Sequence, residues 1–141
     1  MPYRYLDHEA DIGLEGFGGT VEEAIAGGVQ GLLDLLVDTD TVRPLEATTV
    51  TATAADLGAL FVALLNAVIA EQDISRRFFH SFRLNGLTRR DADWQVWGTL
   101  LGEPIDLARH AVGNEVKAAT YAGLLVREEP GAVSLRCVLD L

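Results

Sequence analysis

Asp7-His8-Glu9-Ala10-Asp11-Ile12-Gly13-Leu14 is the stretch around which the chain is organised. It places two aspartates, a histidine and a glutamate within five residues, then turns into an alternating segment with Ile12 and Leu14 set against Gly13 and Glu15. Period-two alternation predicts a half-buried strand. Carboxylates gathered at a strand mouth repel one another, by about 4 kcal/mol for a pair about 4 Å apart at an effective dielectric near 20. A bound cation or a captured proton relieves that repulsion. The alternative is a solvated loop whose charges face water.

Working outward, 141 residues suit one domain, residues 1–141, able to bury a substantial core. Hydrophobic residues at 49% against 23% charged exclude a disordered chain. The lone Cys137 rules out a disulfide within the chain and fits a reducing compartment. No secretory leader is visible, and the apolar run Leu57 to Ala70, interrupted by Asn66, is shorter than the ~20 residues of a membrane span. The expectation is a cytoplasmic protein with no membrane contact. A net charge of −10 argues against strong, non-specific nucleic-acid binding, which depends on cations at phosphates. One local exception is the acid-free segment Ile74 to Arg90, with Arg76, Arg77, Arg83, Arg89 and Arg90. It reads either as a solvated hairpin or as a contact patch for an acidic partner or a phosphate.

Gly16-Phe17-Gly18-Gly19 after the first strand suggests a phosphate cradle, but Val21 stands where a third glycine is needed, and Glu22 and Glu23 would repel an anion. Thr20 and Glu23 form a capping box for a helix with Val21, Ile25, Gly28, Leu32 and Leu36 on one face, ending near Val37. Residues 49–54 alternate threonine with apolar residues as a strand, and Asp56 caps a helix whose stripe runs from Leu57 to Ile69. Phe78 to Leu84 predicts a strand closed by an Asn85-Gly86 hairpin. Strands follow around Trp94–Leu100 and Lys117–Val126, with a short helix or turn over Ile105–His110 between them. In the last strand Val133, Leu135, Cys137 and Leu139 share one face and Ser134, Arg136 and Asp140 the other. The sum is an α+β fold, two main helices on mixed or antiparallel sheets.

Cys137, in an apolar row, reads as core. His8, His80 and His110 lack zinc-ligand spacing. Parity puts Asp11 and Asp140 on the non-core faces of the first and last strands. If those strands pair, Asp11, Asp140 and the main-chain oxygens of Leu141 converge into a site for a hard cation, Ca²⁺, Mg²⁺ or Mn²⁺. Lys117 is the only lysine beside ten arginines, a compact charge either selected for its chemistry or left by composition bias.

Four motifs resemble the archease family: Asp7–Gly13, Thr20–Ala24, Glu115-Val116-Lys117-Ala118-Ala119-Thr120-Tyr121, and Val138-Leu139-Asp140-Leu141. Glu9 departs from the threonine usual in the family, and Ala122 from a histidine that often follows the tyrosine. The resemblance implies an accessory protein of an RtcB-type RNA ligase in tRNA splicing and RNA repair, one that promotes ligase guanylylation and multiple turnover and is not itself an enzyme. It implies a metal pocket at Asp11, Asp140 and Leu141, with Ca²⁺ the first candidate, and a functional role for Lys117, with Asp7 and His8 beside them. Acidic charge suits contact with a basic ligase. Two other readings are a metal-dependent phosphohydrolase using the same carboxylates and a chaperone-like modulator of RNA-modifying enzymes.

Overall fold

The computed structural model describes residues 2–8 and 11–141, with Asp7 and His8 by their backbone alone. Glu9, one of the two departures above, lies outside the described residues. The order is β1 (Tyr3–His8), β2 (Asp11–Gly18), α1 (Val21–Leu36), a 3₁₀ turn (Thr39–Thr41), β3 (Glu46–Ala54), α2 (Leu57–Ser75), β4 (Arg77–Arg90), β5 (Asp93–Pro104), β6 (Ala118–Glu129) and β7 (Ala132–Asp140). The strands form a four-stranded sheet, β1-β2-β7-β6, and a three-stranded sheet, β3-β5-β4. The expected α+β architecture is present. Every strand pair is antiparallel, so no parallel pairing is mixed in among the described residues.

Local chemistry sets the element ends. The Thr20 hydroxyl accepts from the Glu23 amide at 3.1 Å, and the Glu23 carboxylate reaches back to the Gly19 amide at 2.9 Å. The capping box therefore closes one residue earlier than its usual form. Asp56 accepts from the Ala59 amide at 2.8 Å and starts α2. One buried cluster joins both helices and both sheets, with Phe61, Phe79, Leu14, Leu100 and Leu135 among its fully buried members. At 19 residues α2 is longer than its apolar run and long enough to cross a membrane by length and composition, yet half of that window is buried within the fold. Its apolar stripe serves the core.

The helices meet where side chains are missing. A Cβ on Gly16 of β2 would strike the Ala24 carbonyl and come within 2.7 Å of the Gly28 amide nitrogen. A Cβ on Gly28 would sit 2.5 Å from Cζ of Phe61. Glycine at both positions lets α1 lie between β2 and the Phe61 ring.

One turn falls elsewhere than expected. Asn85-Gly86 does not close a hairpin: β4 runs through it to Arg90, and the chain reverses at Asp91, whose φ is 57°. The ladder shifts register between Leu84 and Gly86, and Gly86 then faces Trp97. A Cβ on Gly86 would lie 2.5 Å from Cε2 of the Trp97 indole, so the ring occupies the space a side chain would need. Asn85 accepts from the Thr99 hydroxyl at 2.7 Å. Cross-strand packing has taken the dipeptide's turn chemistry and used it as a bulge.

Candidate functional site

The end of the four-stranded sheet gathers residues from the two ends of the sequence. His8 pairs with Asp11 in the β1–β2 ladder, Ile12 with Leu139 in the β2–β7 ladder, and Ala118 with Asp140 in the β6–β7 ladder. The backbones of His8, Asp11, Asp140 and Ala118 therefore lie in one row across four strands. The Leu141 amide donates to Oδ1 of Asp11 at 3.4 Å, and the Lys117 amide donates to the Asp140 carbonyl at 2.8 Å. Asp140 and Lys117 are exposed, while Asp11 and Leu141 are partly covered. Asp7 pairs with Ile12 one step along, and its backbone is close to the group.

Asn66 keeps this arrangement in place. Its side chain donates to the Ala119 carbonyl at 3.0 Å and accepts from the Ala119 amide at 2.8 Å. An α2 side chain thus mimics a strand neighbour and holds the start of β6, two residues beyond Lys117. An amide in an otherwise apolar stripe was the available signal, and it read only as an interruption.

The donors at this row are oxygens: carboxylates of Asp11 and Asp140 and the main chain of Leu141. Among the described residues no three His, Cys, Asp or Glu side chains converge into a ready-made metal cluster. Two carboxylates and a carbonyl fit a hard cation that takes its remaining oxygens from water or a partner, and they do not fit zinc, which favours nitrogen and sulfur.

A second ionic cluster was not foreseen. Glu103, 2% exposed at the end of β5, accepts from the Arg43 amide at 2.6 Å, from both terminal nitrogens of Arg109 at 2.6 and 3.0 Å, and faces Nε2 of His110 at 3.0 Å. Nδ1 of His110 accepts from the Asp106 amide at 3.0 Å, so Nε2 carries the proton toward Glu103. Arg109 foremost, then the other donors, holds the Glu103 carboxyl well below the usual carboxylate range. Of the two forms expected over 105–110, short helix or turn, the structure has the turn, and it wraps around this carboxylate. Its partners lie up to 60 residues away, so no local pattern announced it. The network fastens the crossover between β5 and β6 and leaves Glu103 no free lone pair for chemistry.

The other candidates fall into place individually. Cys137 is fully buried, and burial pushes its thiol up to about 12. Of the five arginines between Ile74 and Arg90, Arg77 bonds Glu46 at 2.8 Å and Thr48 at 2.9 Å, and Arg89 lies over the Trp94 ring at 5.4 Å. Arg76 is the left-handed cap of α2, φ 52°. Arg83 and Arg90 are exposed, with no ion pair among the described residues. Ala122 lies in the β6 bulge between Thr120 and Leu125 and is exposed.

Comparison with known proteins gives a consistent result. The model of the archease protein family (MTH1598/TM1083) matches residues 3–141. The protein archease of Methanopyrus kandleri is 32% identical over 141 residues, all of both chains, and that of Thermococcus gammatolerans is 30% identical, covering 91% of this chain and 89% of its own. The solution structure of Methanobacterium thermoautotrophicum protein 1598 superposes with a TM-score of 0.83 at 26% identity, covering 99% of each chain. A crystal structure from Thermotoga maritima, described as an archease and possible chaperone, superposes at 0.56 with 18% identity over 98% of this chain and 96% of its own, a likeness of fold. With two helices, two antiparallel sheets and a family match over nearly its whole length, this chain belongs to the archease family.

Proposed function

We propose that this protein is an accessory factor of an RtcB-type RNA ligase in tRNA splicing and RNA repair, and that it promotes guanylylation and repeated turnover of that ligase. The observation carrying the reading is the meeting of Asp11, Asp140, Leu141 and Lys117 at one sheet end in a member of the archease family. Asp11 and Asp140 supply carboxylate oxygens and Leu141 a main-chain oxygen to a divalent cation, Ca²⁺ before Mg²⁺ or Mn²⁺. Such a cation supplies a fixed positive charge at the surface that meets the ligase. Lys117, exposed beside it, presents an ammonium to a phosphate or to a ligase carboxylate. On β1 the backbone of His8 ends the row and that of Asp7 lies one step along. The protein itself transfers no group; it arranges charge around the ligase's nucleotide site.

The test mixes the cognate ligase and GTP with wild type, Asp11→Ala, Asp140→Ala or Lys117→Ala and follows ligase–GMP formation. Each variant is expected to keep its far-UV circular dichroism and lose most of its stimulation. Calorimetry on the protein alone should show cation binding that disappears in Asp140→Ala. Folded variants that stimulate as well as wild type would reduce the row to a solvated strand end. Phosphoester hydrolysis by the pure protein would instead support a hydrolase.

A further inference from the structure

The three-stranded sheet is covered on one face only. Its inward residues, Val50, Ala52, Val96 and Leu100, join the core beneath the helices. Its outward residues lie in register rows: Thr49–Thr99–Arg83, Thr51–Trp97–Gly86 and Thr53–Gln95–Thr88. Thr49, Thr51, Thr53, Gln95, Thr88 and Arg83 are all exposed. Trp97, at the centre, is partly covered because its six-membered ring sits over Gly86. Arg83 and Arg90 on β4 have no ion pair among the described residues, whereas Arg77 and Arg89 are spent on Glu46 and Trp94.

Charge separates this face from the rest of the molecule. The chain carries −10, with 21 acidic residues against 11 basic ones. On the three open rows there is no carboxylate, and Asp93, opposite Arg90, stands only at the hairpin end. Glu103, further along β5, is buried within its own arginine network. An indole flanked by hydroxyls, an amide and two exposed guanidiniums on an open sheet has the components of a stacking platform for single strands. An acidic peptide would use the arginines but has no need of the indole or the threonine rows.

We propose that the open face of the β3-β5-β4 sheet binds single-stranded RNA, with a base on the Trp97 indole and phosphates at Arg83 and Arg90. The choice of RNA over DNA rests on the ligase reading; the platform does not. The overall negative charge opposes a polyanion at long range, so free RNA binds weakly but saturably, and the contact adds most to a strand the partner already holds.

The test uses the intact protein without ligase and without divalent cation, so it stands apart from the guanylylation assay. At about 50 mM salt, a fluorescein-labelled oligouridine of about ten nucleotides is titrated by anisotropy, and the indole Nε1–H resonances are followed by NMR. Saturable binding that shifts the Trp97 resonance is expected. Arg83→Gln with Arg90→Gln should weaken it about tenfold, and Trp97→Leu by a similar factor. The arginine pair has no ion-pair or hydrogen-bond partner for its side chains among the described residues, so that variant keeps the fold. Equal affinity for the matching oligodeoxynucleotide would keep the platform and remove its restriction to RNA. Absence of saturable binding overturns the proposal. So do wild-type affinity in the arginine variant, shifts confined to the Trp94 resonance with none at Trp97, or displacement of the oligonucleotide by polyglutamate at equal charge concentration.

Discussion

Replacing Gly28 by alanine asks whether one aromatic ring sets the spacing of the two helices. The added Cβ would lie 2.5 Å from Cζ of Phe61 and nearer still to Cε1, and Phe61 is fully buried on α2. Overpacking a closed core costs about 1–3 kcal/mol, and so deep an overlap puts this case near 3. Alanine recovers about 1 kcal/mol of helix propensity over glycine. The net expectation for Gly28→Ala is a loss of about 2 kcal/mol. Phe61→Leu is itself destabilising, but it removes both clashing atoms. In that background the new methyl gains about 1 kcal/mol of propensity and up to about 0.8 kcal/mol from refilling the vacated space. The substitution should then stabilise, a change of sign and a coupling energy of at least about 3 kcal/mol. Urea unfolding of wild type, both single variants and the double variant, followed by far-UV circular dichroism, measures the cycle provided the m-values agree. If Gly28→Ala costs the same in both backgrounds to within about 0.5 kcal/mol, the ring is not what excludes a side chain.

The Cys137 thiol, raised from 9.0 to about 12 by burial, makes the fold alkali-sensitive. Its contribution is whole below pH 9, where both states keep the proton, and declines toward pH 12, because the unfolded thiol ionises first. At about pH 10.5 the loss is about 2 kcal/mol, and the stability gap between wild type and Cys137→Ala in urea should narrow by that amount between about pH 8 and 10.5. A constant gap would contradict it, as would rapid native labelling by a thiol reagent. Glu103 acts in the opposite direction: its carboxyl is held low, so its stabilisation is present above the usual carboxylate range and is lost as pH falls through and below it. Glu103→Gln should therefore be less stable at neutral pH and flatten the acid limb of the stability profile. An acid limb as steep as that of wild type would show that this carboxylate is not what acid attacks.

What the chain displays in its order depends on whether the relevant force is local. The parity of Val133, Leu135, Cys137 and Leu139, the caps at Thr20 and Asp56, and the non-core placement of Asp11 and Asp140 all follow from neighbouring residues, and the structure has each of them. Pairing of β2 with β7 joins residues about as far apart as the chain allows, so the meeting of Asp11 with Leu141 was only a condition in the sequence. Asn85-Gly86 was misplaced because local turn propensity was outweighed by the long β4–β5 ladder and by the Trp97 ring. The Glu103 network stayed hidden because a carboxylate's distant partners leave no periodic trace.

The strand order β1-β2-β7-β6 also says something about time. β7 is made after the other six described strands, yet its place is inside the sheet, between the hairpin partner of β1 and β6. A ribosome extends the chain far more slowly than strands pair, so the nascent protein waits with β2 and β6 unjoined until residues 132–140 emerge. Asp11 has no Asp140 beside it until that moment. The candidate row is thus assembled late: a fragment that stops short of β7 carries its first half and nothing with which to finish it. A partner that reads both aspartates together would ignore such fragments without any separate checkpoint.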